Sequence, residues 1–157
     1  MNRGPTRSPL CHDCAFTLLD LITGLAICGV LAAIAVPNWA SQLPTYRLNG
    51  AARQLQSELH QVKSQAVARS AHLRVVFLAP GAYRIERKEG AAYRSTGAQK
   101  TLPEGITFGG DAIRPIGFAP RGTADGGTIT LCNDKREGKN VIVSGSTGRV
   151  RVTGATC

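Results

Sequence analysis

The sequence predicts an α+β protein in which one long N-terminal helix, membrane-spanning in its first half, packs through its second half on an antiparallel β-sheet head. Three observations predict this class. An apolar run covers residues 16–36, a helical period of about 3.6 follows over 37–72, and a period of two between Gly and Pro clusters fills 73–157. With the basic N-terminal segment 1–15, these segments give the expected organisation of the chain.

The run 16–36 is long enough to span a membrane. Only three of its residues are polar: Thr17, Asp20 and Thr23. As a helix the run is roughly 32 Å long, close to the hydrocarbon thickness of a bilayer. The preceding Arg3 and Arg7 place the N-terminus in the cytoplasm and the rest of the chain beyond the inner membrane.

Two other interpretations of this run fit less well. A cleaved secretory signal has a shorter apolar region before a site of small residues, and the sequence after Val36 offers only a poor site. A core helix of a soluble protein has a polar face, which residues 21–36 lack. An acid such as Asp20 costs roughly 2.5–3.5 kcal/mol at mid-bilayer, and less near an end, so we expect that it is retained for a partner.

After Pro37 the pattern stays helical and becomes amphipathic. Apolar residues recur at alternating intervals of four and three and form one stripe: Leu48, Ala52, Leu55, Leu59, Val62 and Ala66. This stripe is expected to pack on the head. Pro37 and Pro44 are expected to kink or interrupt the helix.

From Leu73 onward the pattern is typical of strands. The segments LRVVFL and AYRIER flank Ala79-Pro80-Gly81 and predict a β-hairpin. Residues 88–101 are predicted to form a loop, and further strands are predicted at 106–108, 116–118, 128–131, 141–144 and 149–153. These segments predict one meandering antiparallel sheet.

The composition indicates an acidic partner and gives no catalytic site. The chain of 157 residues has 19 Lys and Arg against 10 Asp and Glu, a net charge of +9. This balance favours nucleic acid, anionic lipid or an acidic protein. His12, His60 and His72 have no catalytic partner at a suitable spacing, and the Cys11-His12-Asp13-Cys14 segment lacks a second ligand pair. We therefore expect no enzymatic activity, no cofactor and no metal.

Cys132 and Cys157 are predicted to form a disulfide, because both lie in the part of the chain expected in the oxidising periplasm. The bond would close the loop 132–157 and contribute roughly 3–4 kcal/mol in the chain-entropy model. The alternative is a free Cys157 at a frayed terminus. Cys28 lies in the apolar run and is expected to act as a small apolar residue.

The C-terminal segment 135–157 concentrates positive charge. It has one acid, Glu137, and a net charge of +4 from Lys135, Arg136, Lys139, Arg149 and Arg151. In a strand, Arg149 and Arg151 share one face about 6–7 Å apart, on the scale of the phosphate repeat of a nucleic-acid strand. The loop with Lys135, Arg136 and Lys139 is expected to extend this patch. The alternative is that the arginines only make the outer face of an edge strand polar.

The segment AFTLLDLITGLAICGVLAAIAVPNW resembles the N-terminal signal of type IV pilins and type II secretion pseudopilins. That signal has a small residue, then Phe-Thr-Leu-x-Glu, then an apolar helix with a central Gly and a terminal Pro. The resemblance implies that prepilin peptidase removes the leader 1–15 by cutting between Ala15 and Phe16, and methylates Phe16. It also implies that Asp20 pairs with an N-terminal amine during filament assembly. Ala15 replaces the usual Gly, and Asp20 the usual Glu.

The rest of the chain resembles the GspH/FimT group of minor pilins and pseudopilins, through LHQVKSQAVARSAHLRVVF, GFAPRGTADGGTITLC and VIVSGSTGRVRV. Gly148-Arg149-Val150-Arg151 is similar to the G-R-x-R element of FimT-type pilins, which bind DNA during natural transformation. The resemblance implies a type IV pilin-like fold, pilins or pseudopilins as filament partners, and a single-pass inner-membrane protein with a periplasmic head. It leaves open a DNA-binding minor pilin, a GspH-like pseudopilin or a minor pilin that primes assembly. A lipid-binding protein would use the same charge.

Overall fold

The computed structural model describes residues 17–110 and 114–157, with the backbone alone at 36–38 and 40. Its single helix among these residues, α1, covers Leu18–Ala68. Of the two outcomes predicted for Pro37 and Pro44, a kink or an interruption, interruption is wrong, because the helical backbone continues through both. Proline has a helical φ, so a helix can continue through it although its missing N–H removes one hydrogen bond. The chain divides into two units, up to Ala40 and from Ser41 onward, which are described separately.

The first unit contains the start of α1. Thr17 caps the helix, since the backbone N–H of Asp20 donates to Thr17 Oγ1 at 3.2 Å. Residues Leu18–Ala35 form a helix long and apolar enough to cross a membrane, with a mean hydropathy of 2.3 and no residue buried. Length and composition therefore match a membrane span, as the sequence predicts.

The second unit buries the apolar stripe of α1. All six predicted stripe residues are confirmed as core residues, each at most 1% exposed, and Ala51 joins them. Two residues after the end of the helix, Ser70 is left-handed, with φ of 49°. The N–H groups of Ser70 and Ala71 then donate to the carbonyls of Val67 and Ala66, which closes the last turn.

Nine strands follow the helix among the described residues, and they form two antiparallel sheets. Sheet A has the order β3-β2-β1-β6, with β4 also paired to β2, and sheet B has the order β5-β7-β8-β9. The bounds are β1 Leu73–Leu78, β2 Ala82–Glu89, β3 Ala92–Ser95, β4 Lys100–Thr101, β5 Ile106–Gly109, β6 Ile116–Phe118, β7 Gly127–Asn133, β8 Glu137–Val143 and β9 Val150–Thr156. The predicted β1–β2 hairpin is confirmed.

Two sequence predictions about the strands are wrong. Residues 88–101 are not one loop, because β2 extends to Glu89 and β3 and β4 follow it. Every residue of β3 is exposed, so no burial pattern marked it as a strand. The single sheet is also wrong, since β6 pairs with β1 while β7 pairs with β5. Local periodicity predicts strands but does not encode which distant strands pair.

One core holds the second unit together. Buried side chains from α1, from sheet A and from sheet B form a single hydrophobic cluster between Leu48 and Val150. A disulfide between Cys132 and Cys157 joins β7 to the residue after β9. The segment 41–157 thus contains a complete core of its own, so we expect it to fold without the membrane-spanning half of α1.

Candidate nucleic-acid interface

The head has a basic groove at one end of sheet B. The groove has a volume of about 680 Å³ and is lined by Lys63, Ile142, Ser144, Thr147, Arg149 and Arg151. These residues come from α1, from β8, from the turn 144–149 and from β9. Three of the six carry a positive charge, and none carries a negative charge.

Strand alternation displays the two arginines of the groove. Val150 is buried at 4% exposure, whereas Arg149 and Arg151 on either side of it are exposed. Arg151 lies opposite Ile142 of β8, and the carbonyl of Arg149 accepts a hydrogen bond from Ser144 N–H at 2.9 Å. Arg149 precedes β9 rather than lying within it, yet this bond continues the strand pairing. Both guanidinium groups therefore leave the sheet on the side away from Val150.

A close approach between two turns fixes the backbone before Arg149. Gly148 has φ of 59°, which favours glycine, and a Cβ there would lie 2.6 Å from the carbonyl oxygen of Gly122. Gly148 N–H donates to the Ser144 carbonyl at 2.8 Å, and Lys63 Nζ donates to the Thr147 carbonyl at 2.7 Å. Gly148 thus shapes the turn through its lack of a side chain.

The groove arginines differ from the four arginines of sheet A in having no ion partner among the described residues. In the described parts of the chain, no carboxylate lies within 4.0 Å of Lys63, Arg149 or Arg151. On sheet A, Arg74 and Arg84 pair with Glu86, and Arg87 and Arg94 pair with Glu89. Lys100 pairs with Glu58 of α1. The positive charge of the groove is therefore available to an anionic ligand.

The other predicted basic residues lie elsewhere. Lys135 and Arg136 occupy the turn between β7 and β8, and Lys139 is a residue of β8 rather than of a loop. Arg136 is six residues from Ile142, which is about 20 Å along a strand. Lys139 lies opposite Leu131 and on the same face of β8 as Val141, the face away from Arg151. The structure does not bring these three residues into the groove.

The β7–β8 turn is instead tied to the helix. Lys135 Nζ donates to the Ser41 carbonyl, and Thr45 Oγ1 donates to Glu137 Oε2 at 2.7 Å. This bond from Thr45, together with one from Asn133 and the nearby charges of Lys135 and Lys139, lowers the pKa of the Glu137 carboxyl below its usual value. Lys135 and Lys139 thus already lie near an anion.

Lys63 is a groove residue that the sequence did not reveal. It lies three residues before Ala66 on α1 and is half-buried beside the apolar stripe. The sequence alone predicts an ordinary solvated lysine beside the apolar stripe. Only the packing of the turn 144–149 against α1 brings its ammonium to the arginines, and no local pattern carries that contact.

The remaining predicted site residues are placed as follows. Asp20 lies in the first turn of α1, exposed, where the positive end of the helix dipole favours a carboxylate. Ala15 and Phe16 lie outside the described residues. Within residues 17–110 and 114–157 no group of His, Cys, Asp or Glu could hold a metal, and Cys28 is a free, exposed cysteine.

Comparison with known proteins gives one family. A sequence profile of the GspH family, described as type II transport protein GspH, matches residues 51–148. This match covers about the last third of α1 and the strands up to the turn before β9. No curated protein sequence matches the chain.

Solved structures share the fold. The minor pseudopilin EpsH from the type II secretion system of Vibrio cholerae is 13% identical with a TM-score of 0.59, over 69% of this chain and 97% of that chain. The type IV minor pilin FimU of Pseudomonas aeruginosa is 17% identical with a TM-score of 0.59, over 72% of this chain and 96% of that chain. At such identities the likeness shows the fold alone, which is pilin-like.

Proposed function

The chain belongs to the GspH family of pilin-like proteins, and from this we propose that it is a minor type IV pilin that binds DNA non-specifically and acts in DNA uptake. Members of the family are minor pilins or pseudopilins, structural subunits of type IV pili or of type II secretion systems. The proposal for this chain adds a ligand, DNA, and a site, the groove of Arg149 and Arg151.

The proposed display of the site follows from the helix. We propose that prepilin peptidase cuts between Ala15 and Phe16, and that Leu18–Ala35 holds the protein in the inner membrane with its head in the periplasm. Asp20 then pairs with the N-terminal amine of a neighbouring subunit as the filament assembles. A cation inside the apolar filament offsets the desolvation of the carboxylate, which explains an acid in a membrane-spanning segment.

The observation that supports DNA as ligand is the pair of unpartnered arginines in one groove. Arg149 and Arg151 stand two residues apart on one face, and no carboxylate of the described residues neutralises them. Guanidinium groups bind phosphate oxygens through paired hydrogen bonds. Contacts to phosphate carry no sequence information, so binding is expected to be non-specific and strongly dependent on salt.

The test is binding of duplex DNA to segment 41–157 with Arg149→Gln and Arg151→Gln together. Each phosphate contact contributes roughly eightfold at about 0.1 M salt through counterion release, so the double variant is expected to bind roughly sixty-fold more weakly. A matched control is Arg53→Gln with Arg69→Gln, which removes the same charge from two exposed positions, one on α1 and one directly after it. Equal losses in the two double variants would refute the groove as the site.

A second candidate function is a structural one. The family description and the likeness to EpsH favour a pseudopilin of type II secretion, or a minor pilin that primes pilus assembly, for which the groove is not needed. A deletion strain separates the two. Loss of DNA uptake with normal secretion and normal pilus assembly supports the proposed function, and loss of secretion or of pili supports the structural candidate.

A further inference from the structure

Lys63 reaches the groove from α1, outside the C-terminal segment that carries the two arginines. Its Nζ donates to the carbonyl oxygen of Thr147 at 2.7 Å. An ammonium group has three N–H donors, so two remain for a ligand. Lys63 therefore combines one contact to the protein with unused capacity to bind an anion.

The aliphatic stem of Lys63 is fixed between two turns. A Cβ atom on Gly148 would lie 3.3 Å from its Cδ and Cε, and one on Gly122 would lie 3.5 Å from its Cε. Lys63 is half-buried, whereas Lys88 on sheet A is exposed. A side chain already held in place loses less conformational entropy when it binds a ligand.

The other lining residues suit a sugar-phosphate backbone. Ser144 and Thr147 supply hydroxyl groups, and Ile142 supplies an apolar contact between the cations. None of the described residues that line the groove is aromatic. Base stacking on aromatic rings, which contributes to the binding of single strands, therefore has no platform among these residues.

We propose that Lys63 is the third phosphate contact of this groove, which thereby binds the backbone of DNA with three cations and does not bind its bases. This inference rests on the proposed function. It adds a contact from a helix to the two contacts from the β9 segment. Because each phosphate contact releases more counterions from a duplex than from a single strand, it predicts that duplex DNA binds at least as tightly as single-stranded DNA. Three cations, one on α1 and two in the β9 segment, then define the path of one strand across the end of sheet B.

The experiment measures the dissociation constant of segment 41–157 for a short duplex at increasing salt. Lys63→Met keeps most of the stem and removes the charge, Lys63→Arg keeps the charge, and Lys88→Met is the matched control. The logarithmic salt slope changes by about 0.9 for each phosphate contact, so Lys63→Met is expected to lose that amount and roughly eightfold affinity at about 0.1 M salt. Lys63→Arg and Lys88→Met are expected to keep the slope of the parent protein.

Each other outcome has a defined meaning. An unchanged slope in Lys63→Met overturns the assignment of Lys63 and leaves the arginine site intact. A loss that Lys63→Arg does not restore makes Lys63 a residue that only positions the turn, which also overturns the assignment. Tighter binding of a single strand than of a duplex of equal length contradicts recognition of the backbone alone.

Failure of the proposed function looks different. If the parent segment binds no DNA, the proposed function is refuted, whatever Lys63 does. Lipid headgroups offer the same phosphate chemistry, so vesicles of phosphatidylcholine with phosphatidylglycerol are tested beside DNA. Binding to these vesicles and not to DNA assigns the groove to a membrane surface and refutes both proposals.

Discussion

Arginine side chains serve different purposes in the two sheets. On sheet A, Glu86 is 4% exposed and accepts hydrogen bonds from Arg74 and Arg84, each at 2.7 Å. At the end of sheet B, Arg149 and Arg151 have no carboxylate partner among the described residues. The same residue type is thus satisfied within the protein in one sheet and left available to a ligand in the other.

The difference shows why the net charge alone did not locate the site. Arg74 is also stacked over Tyr93, with its guanidinium carbon 3.7 Å from the ring centre. Arginines of sheet A stabilise the fold through such contacts. We expect those of the groove to contribute little to the fold, because both side chains are exposed and have no carboxylate partner among the described residues.

The largest expected effect concerns the covalent anchor of sheet B. Replacing Cys132 and Cys157 together by Ser removes a bond that closes a loop of about 26 residues, and is expected to lower the free energy of unfolding by about 3.5 kcal/mol. DNA affinity at low temperature is expected to stay within about threefold, because Arg151 lies six residues from Cys157 and its strand remains paired with β8. Urea unfolding and DNA titration of the same sample measure both quantities.

A selective loss of DNA affinity in this variant would change the comparison. It would mean that the groove depends on the anchor, so that sheet B also uses a structural bond to display its arginines. The reduced parent protein is the control, since it has the same side chains without the bond.

The next effect is a reciprocal one between the two arginine pairs. Arg74→Gln with Arg84→Gln leaves the buried Glu86 without its charged partners and is expected to cost about 3 kcal/mol of stability. Arg149→Gln with Arg151→Gln is expected to change stability by less than about 0.5 kcal/mol, because both side chains are exposed. DNA affinity is expected to respond in the opposite order, and parallel losses in both pairs would contradict the division between the sheets.

Much of the fold can be predicted from the sequence, because local periodicity identifies each helix or strand. The stripe from Leu48 to Ala66 and the β1–β2 hairpin each repeat with the period of their own element. The edge strand β3 was missed because its four residues are all exposed. The division into two sheets depends on pairing between distant strands, which no short window contains.

The candidate site was partly readable for the same reason. Arg149 and Arg151 share a short strand pattern, so their common face follows from alternation. The extension through Lys139 failed because the predicted loop is a strand, and alternation there turns Lys139 to the other face. Lys63 was not predictable, since 84 residues separate it from Thr147, the carbonyl to which it donates.

Acid is expected to weaken sheet A before it affects the groove. Burial alone would raise the pKa of Glu86, but the hydrogen bonds and charges of Arg74 and Arg84 outweigh burial and lower that pKa below 4.5. A carboxyl with a lowered folded-state pKa contributes stability that is present above its unfolded pKa and is lost as the pH falls through its folded pKa. The free energy of unfolding is therefore expected to fall below about pH 4.5, and less steeply in Glu86→Gln than in the parent.

The measurement compares urea midpoints at neutral pH and well below pH 4.5, with Glu104→Gln as the control. Glu104 is exposed and has no ion pair among the described residues. An acid loss of equal size in Glu86→Gln and in the parent would show that other carboxyls cause it, and would remove the special role of Glu86 in sheet A.

The smallest effect concerns the cations at the β7–β8 turn. They are intermediate between the ion-paired arginines of sheet A and the unpaired arginines of the groove. Residues 134–139 contain Lys135, Arg136 and Lys139 against Asp134 and Glu137, so their net charge is only +1. Lys135 is bound to the Ser41 carbonyl, and Glu137 lies near both lysines. Replacing the three cations by Gln is expected to weaken DNA binding by about twofold to threefold, because only long-range attraction is lost. The logarithmic salt slope is expected to change by much less than it would if all three cations contacted phosphates. A fall in the salt slope equal to that of nearly three phosphate contacts would instead place DNA across both ends of β8. The groove would then be one part of a longer interface.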